Sequence, residues 1–354
     1  MFRNQIKIAL RNVQKHKGYA FINMIGLTVG VATMLLIYLV IRHETTYDAF
    51  HSKKDRIYRL VTTNANRSNG EITDRNSSVP IMLPDALRND FPQLEKVGAV
   101  WNLGGAQIHI PVPGKDVTQE NKVKVSSGLF FAEPSLFEMF DYTWLEGNAR
   151  GLQDPNTVVI NQTLAEQFFG SWKAATGRTV EMWSFRIPLK VVGVFKDLPA
   201  HTDLEIRMGA SYATHKKLSA EWFASNDWLN APWSLNCFVL LPENSRADRL
   251  QAQLDQFVSK YYPKEVHGPE KKVTLTLQPL GDMHLNEDFY TFKGDALTHQ
   301  ELWSLALIGC FILFVACINF INLATAQSVT RAKEIGVRKV LGSNRPQILR
   351  QFLI

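Results

Sequence analysis

Two uncharged stretches limit what this chain can fold into. Leu302 to Thr330 runs for 29 residues without a charged side chain, and Tyr19 to Ile41 for 23. About 20 apolar residues suffice for a helix to cross a bilayer, and 23 make a helix of roughly 34 Å. A secretory signal would have a shorter apolar core followed by a small-residue cleavage site. Ile41-Arg42-His43-Glu44 follows the first stretch instead, so a retained anchor is expected. The expected organisation is an amphipathic segment at 1–18, spans at 19–41 and 302–327, and a large domain at 43–300 between them. A basic segment at 328–344 follows the second span. Apolar character returns over 345–354, the expected start of a third span, as though the sequence were the first part of a longer protein.

The charge distribution orients these segments. The net charge is +6, yet residues 1–18 hold five Lys/Arg and no acid, and residues 331–354 hold six Lys/Arg and one acid. Between His43 and Gln300 the acids outnumber the bases by four. Basicity confined to the flanks of apolar spans is the positive-inside pattern, and it speaks against a nucleic-acid surface. Both flanks are therefore expected in the cytoplasm, with 43–300 on the opposite side of the membrane. Phe2, Ile6, Ala9, Leu10 and Val13 recur at helical spacing opposite Arg3, Lys7, Arg11 and Lys15, as in a helix lying on anionic headgroups. Gly26 and Gly30 form a G-x-x-x-G, which lets a second helix approach closely.

The intervening domain reads as α+β. Arg56 to Thr62, Val97 to Asn102, Cys237 to Leu241 and Lys272 to Gln278 are β-branched, aromatic or alternating, and read as strands. Pro84–Asp90 and Ala247–Lys260 read as helices. Two β-α-β units at opposite ends of the domain predict a ferredoxin-like, porter-type layer. Between them, about 127–205 is expected as an inserted mixed α/β subdomain. It includes Val158 to Asn161, the helical run Gln162 to Phe169, and Leu189 to Pro199. Cys237 stands alone outside the spans, so no disulfide frames the domain, and its core must hold it.

The segment after the second span carries a resemblance. Cys317-Ile-Asn-Phe-Ile-Asn-Leu-Ala-Thr-Ala326, then Arg331-Ala-Lys-Glu-Ile-Gly-Val-Arg-Lys-Val-Leu-Gly-Ser343, resembles the FtsX-type, MacB-like permeases of ABC transporters. Phe130-Phe131, Thr157 to Asn161, Phe168-Phe-Gly170, Val192 to Pro199 and Asp282-Met-His-Leu285 resemble the MacB-like periplasmic core domain, in the order that family has them. The resemblance implies that Arg331, Lys333, Glu334, Ile335, Arg338, Lys339, Leu341 and Gly342 contact a separate P-loop ATPase subunit. It also implies two permease copies, or this chain and a paralogue, and a periplasmic adaptor is a further candidate partner. The residues alone would equally describe a solvated helix end whose Glu334 and Arg338 pair along the helix. Gly342 suits a helix stop, with Asn344 and Pro346 opening a new one.

Catalytic patterns are thin. No G-x-x-x-x-G-K-[ST] and no H-E-x-x-H occurs, so the chain is not expected to be an enzyme or to hold a cofactor or metal. His43 and His51, with Glu44 and Asp48 between them, are too isolated to predict a metal site. His284 is expected to be structural. Trp183, Trp222, Trp228 and Trp233 are expected in packing rather than in a ligand groove. The expected function is that of a non-catalytic permease subunit moved by a partner ATPase, for export or extraction of a substrate the sequence does not name. Two alternatives stand beside it: an FtsX-type regulator of a cell-wall hydrolase, and a two-span receptor. The receptor should continue into a long heptad helix, against which Gly342 and the renewed apolar run argue.

Overall fold

Alternation of inward and outward side chains builds the domain, and long apolar runs build the helices that flank it. The computed structural model describes residues 17–111, 122–182, 185–225, 227–228, 230–232, 234–292, 294, 297–340 and 342. Most of the expected headgroup helix (1–16), Trp183, Trp233, Leu341 and the expected third span lie outside the described residues. In chain order the elements are α1 (Lys17–Thr45), β1 (Ile57–Asn66), β2 (Ile72–Asn76), α2 (Leu83–Asp90), β3 (Lys96–His109) and β4 (Lys122–Ala132). Then come α3 (Pro134–Met139), β5 (Trp144–Gly147), β6 (Thr157–Asn161), α4 (Gln162–Phe169), β7 (Thr179–Met182), β8 (Ile187–Phe195) and β9 (Met208–Ser211). Last are α5 (Tyr212–Leu218), α6 (Ala220–Ala224), β10 (Leu235–Leu240), α7 (Ala247–Tyr261), β11 (Lys271–Pro279) and α8 (His299–Val340).

Residues 44–298 form one compact unit around a single mixed sheet, ordered β11-β1-β10-β3-β4-β9-β6-β8-β5. The first four strands are mutually antiparallel, with Val61 opposite Thr276, Tyr58 opposite Val239 and Ala99 opposite Cys237. β10 thus lies between β1 and β3, and β1 lies between β10 and β11, so the two β-α-β units interleave. The segment 127–205 does not build a sheet of its own. It joins the same sheet where β4 pairs along β3 and then runs parallel to β9.

Period-two burial divides the core. Leu235, Cys237 and Val239 face one side with α2, α4 and α7, while Phe238 and Leu240 face the other with α3. Leu250, Leu254, Phe257 and Val258 give α7 its buried stripe at helical spacing. Local chemistry sets the ends of α4. Asn161 caps it by accepting the Leu164 N–H at 3.0 Å, and Gly170, at φ 77°, ends it.

Residues 1–43 and 299–354 form the other unit. Two of its helical stretches, Phe21–Thr45 and His299–Asn322, are long and apolar enough to cross a membrane, and few of their residues are buried. α8 does not stop at the end of the uncharged stretch. It runs unbroken for 42 residues, about 63 Å, or roughly twice a bilayer's hydrocarbon core.

Candidate functional site

Within the helical unit, α1 and α8 pack antiparallel through small residues. A Cβ placed on Gly30 would lie 2.7 Å from the Ala316 Cβ, and one on Gly26 would lie 3.2 Å from the Asn319 amide nitrogen. Both glycines singled out by the G-x-x-x-G therefore sit at the contact. Sequence reasoning missed their counterpart on α8. A Cβ on Gly309 would come within 2.9 Å of the Met34 sulfur and 3.2 Å of the Ile37 Cδ1. Gly309 and Ala316 lie seven residues apart, two turns along one face, and that spacing was the available signal. Arg331, Lys333, Glu334, Ile335, Arg338 and Lys339 all lie on the last three turns of α8, and Gly342 follows with φ 92°.

The domain holds a buried polar cluster around His284. Its Nδ1 lies 2.9 Å from an Asp203 oxygen and its Nε2 lies 2.8 Å from a Glu44 oxygen, while Tyr47 stacks on the ring at 3.4 Å and 8°. Burial disfavours the charged ring, but hydrogen bonds and charge from Asp203 and Glu44 outweigh it and raise the pKa. Asp48 stands beside this group, accepting the Thr202 hydroxyl and, at 3.1 Å, the Asp203 N–H. His51 lies 3.7 Å from Asp48 and accepts the Asp141 N–H. Among the described residues no group of three His, Cys, Asp or Glu is arranged to hold a metal.

A second pin reaches the same part of the chain. Arg59 is fully buried and donates to the Gln278 side-chain oxygen at 3.0 and 2.7 Å, to Asn236 at 3.3 Å and to the Tyr290 carbonyl at 3.0 Å. Its acceptors are neutral, and burial lowers its pKa to about 10. Gln278 in turn donates to Asp282, which also accepts from Asn286. Phe292 packs edge-on against Phe130. Residues 280–292 are thus held to the sheet by Arg59 and Phe292, and to the end of α1 and the segment before β9 by His284.

Two of the tryptophans named from sequence, Trp222 and Trp228, are described and pack on aromatic neighbours. Trp228 is buried against Phe257, Tyr261 and Tyr262, and Trp222 packs on Trp101 at 5.7 Å. Cys237 is free and buried, and burial pushes its thiol pKa up.

Comparison with known proteins gives this geometry a family. The macrolide export ATP-binding/permease protein MacB of Shewanella sp. (strain ANA-3) is 21% identical over 374 residues, covering 100% of this chain and 50% of that protein. The uncharacterized ABC transporter permease YknZ of Bacillus subtilis (strain 168) is 21% identical over 373 residues, covering 99% of this chain and 80% of that protein. The chain therefore spans about half the length of the MacB proteins it matches along its whole length. A solved domain from Porphyromonas gingivalis, named for a permease protein, shares the fold with a TM-score of 0.53 at 18% identity, over 72% of this chain and 98% of that one. Residues 20–257 match the MacB-like periplasmic core domain, and by that match the chain belongs to the MacB-like family of ABC transporter permeases.

Proposed function

We propose that this chain is the mechanical, non-catalytic part of an ABC transporter. ATP binding would close a pair of separate P-loop ATPase subunits, and the segment 328–344 would follow them. The spans 19–41 and 302–327 would carry that motion to the domain outside the inner membrane, for export or extraction of a substrate. The MacB relatives combine ATP-binding and permease functions in their names. No phosphate-binding loop occurs within these 354 residues, and the proposal assigns ATP binding to a separate subunit. Arg331, Lys333, Glu334, Ile335, Arg338, Lys339, Leu341 and Gly342 are the proposed contact. Two copies, or this chain with a paralogue, follow from a symmetric ATPase pair, and a periplasmic adaptor would complete an export path. The interleaved strands β11-β1-β10-β3 are read as the ferredoxin-like layer.

The observation that supports this reading is the unbroken α8. A helix about 63 Å long, without a proline, runs continuously from His299 through the basic stretch 331–339 to Val340. A flexible joint at the end of the uncharged stretch would absorb motion from a partner. A continuous helix passes it on.

The test is topology. Asn66→Cys and Ser343→Cys are introduced singly into a chain whose Cys237, Cys310 and Cys317 have been replaced, and intact cells are treated with an impermeant thiol reagent. Labelling at position 66 and protection at 343 is expected. Labelling at 343 with protection at 66 would reverse the orientation and end the proposal.

A further inference from the structure

The domain begins at Glu44, and one hydrogen bond ties that residue to His284, 240 residues later. Both nitrogens of His284 face carboxylates at hydrogen-bond distance. Each of those bonds needs its own proton, and a neutral imidazole carries only one. Deprotonated, the ring would turn a lone pair toward one of the two acids. The second oxygen of Asp203 adds a constraint, because it is buried and accepts no hydrogen bond among the described residues. A buried carboxylate left half-satisfied needs a positive charge beside it, and His284 is the cation in place. Stacking on Tyr47 also favours a charged ring over a neutral one.

We propose that Glu44, His284 and Asp203 form a proton-operated latch that ties the start of the domain to residues 280–292 when the imidazole is charged and releases them when it loses its proton. The groups facing it are Glu44 from the last turn of α1, Tyr47 and Asp48 from the turn after it, and Asp203 from the segment before β9. Asp282 and Arg59 stand in the next layer on the strap side, and His51 stands beyond Asp48. All of the nearest groups except Tyr47 are acidic, so the cluster favours the proton and Tyr47 does not oppose it. The histidine's pKa is raised in the folded state. Its contribution is therefore complete below the unfolded value of about 6.5 and is lost as pH rises through the higher folded value. The latch thus opens as pH rises through that raised value. As a regulator of transport it rests on the coupling proposed above, but as a latch it can be tested without any ATPase.

The experiment is hydrogen exchange of the full chain in nanodiscs between pH 6 and 9.5, corrected for intrinsic rates, with β10 as internal reference. In the wild type, protection of residues 281–292 should fall at least tenfold with rising pH while β10 stays constant. Glu44→Gln removes one of the two acids, so the same fall should occur at lower pH. His51→Gln, outside the bridge, should leave the transition where it is. His284→Gln should show low protection at every pH, and the β10 reference reports whether that variant is folded. Flat wild-type protection across the range would overturn the latch. So would a transition whose midpoint is the same in Glu44→Gln, because another group would then be titrating. Either failure would leave the ATPase reading untouched.

Discussion

Gly30→Ala should loosen the pair of apolar helices, and a second substitution should restore it. The added methyl would lie 2.7 Å from the Ala316 Cβ, whereas ordinary contact spans 3.4–4 Å, so the helices must part locally by about 0.7–1.3 Å. A gap near 1 Å forfeits a quarter to a half of the dispersion attraction for the atoms along that seam. Two apolar helices in lipid have no hydrophobic effect to hold them together, so packing carries most of their association. Overpacking of this kind costs about 1–3 kcal/mol. The assay is the thermal midpoint of the full-length protein in mild detergent, read as the monodisperse fraction surviving heating. At about 2–4 °C per kcal/mol, Gly30→Ala should lower the midpoint by roughly 2–12 °C. Adding Ala316→Gly removes the opposing methyl, so the double variant should recover most of that loss. A double variant no more stable than Gly30→Ala alone, or a single variant with no effect, would refute the close approach.

Arg59→Ala should destabilise the domain by about 2–6 kcal/mol, since it leaves the Gln278 and Asn236 side-chain oxygens buried without a donor, at about 1–3 kcal/mol each; chemical denaturation would show it, and a loss below about 1 kcal/mol would remove the strap's anchor. Gly147→Ala should cost more than Gly70→Ala although both glycines have positive φ. A Cβ at 147 would meet the Val192 carbonyl oxygen at 2.2 Å, while one at 70 meets nothing within 4 Å, and equal melting shifts would contradict the account of that strand crossing.

Some of the domain's elements were legible in the sequence, where local chemistry marks them. Alternation marked β1 and β11, the amphipathic pattern marked α7, and an apolar run marked β10, while the caps Asn161 and Gly170 of α4 emerged only from the structure. What joins the two halves of the sheet was not legible. β9 is four residues, Met208 to Ser211, all buried, and a run that short has no period to read. Its neighbours β4 and β6 come from distant parts of the chain. The helix pair was half legible: the G-x-x-x-G announced Gly26 and Gly30, while Gly309 sits in a run of large apolar residues with no matching motif. The His284 cluster could not be read at all, because Glu44, Asp203 and His284 are far apart in sequence and meet only through the fold. The basic end of α8 was marked in the sequence only by its resemblance to other permeases.

The central claim is that this end of α8 couples a partner ATPase to the membrane helices. Glu334→Lys in the full-length permease tests it most directly, compared with the equal charge change Glu71→Lys on the exposed β1–β2 turn of the domain. Breaking a desolvated ion pair at a contact costs about 2–5 kcal/mol, or roughly 30- to 4,000-fold in affinity. The measurement is stimulation of the ATPase by reconstituted permease, with expression and membrane insertion checked for both variants. Wild-type stimulation with Glu71→Lys, and stimulation lost or uncoupled from transport with Glu334→Lys, is the predicted result. Wild-type stimulation by both variants would mean that Glu334 is merely solvated, and the coupling role would be withdrawn.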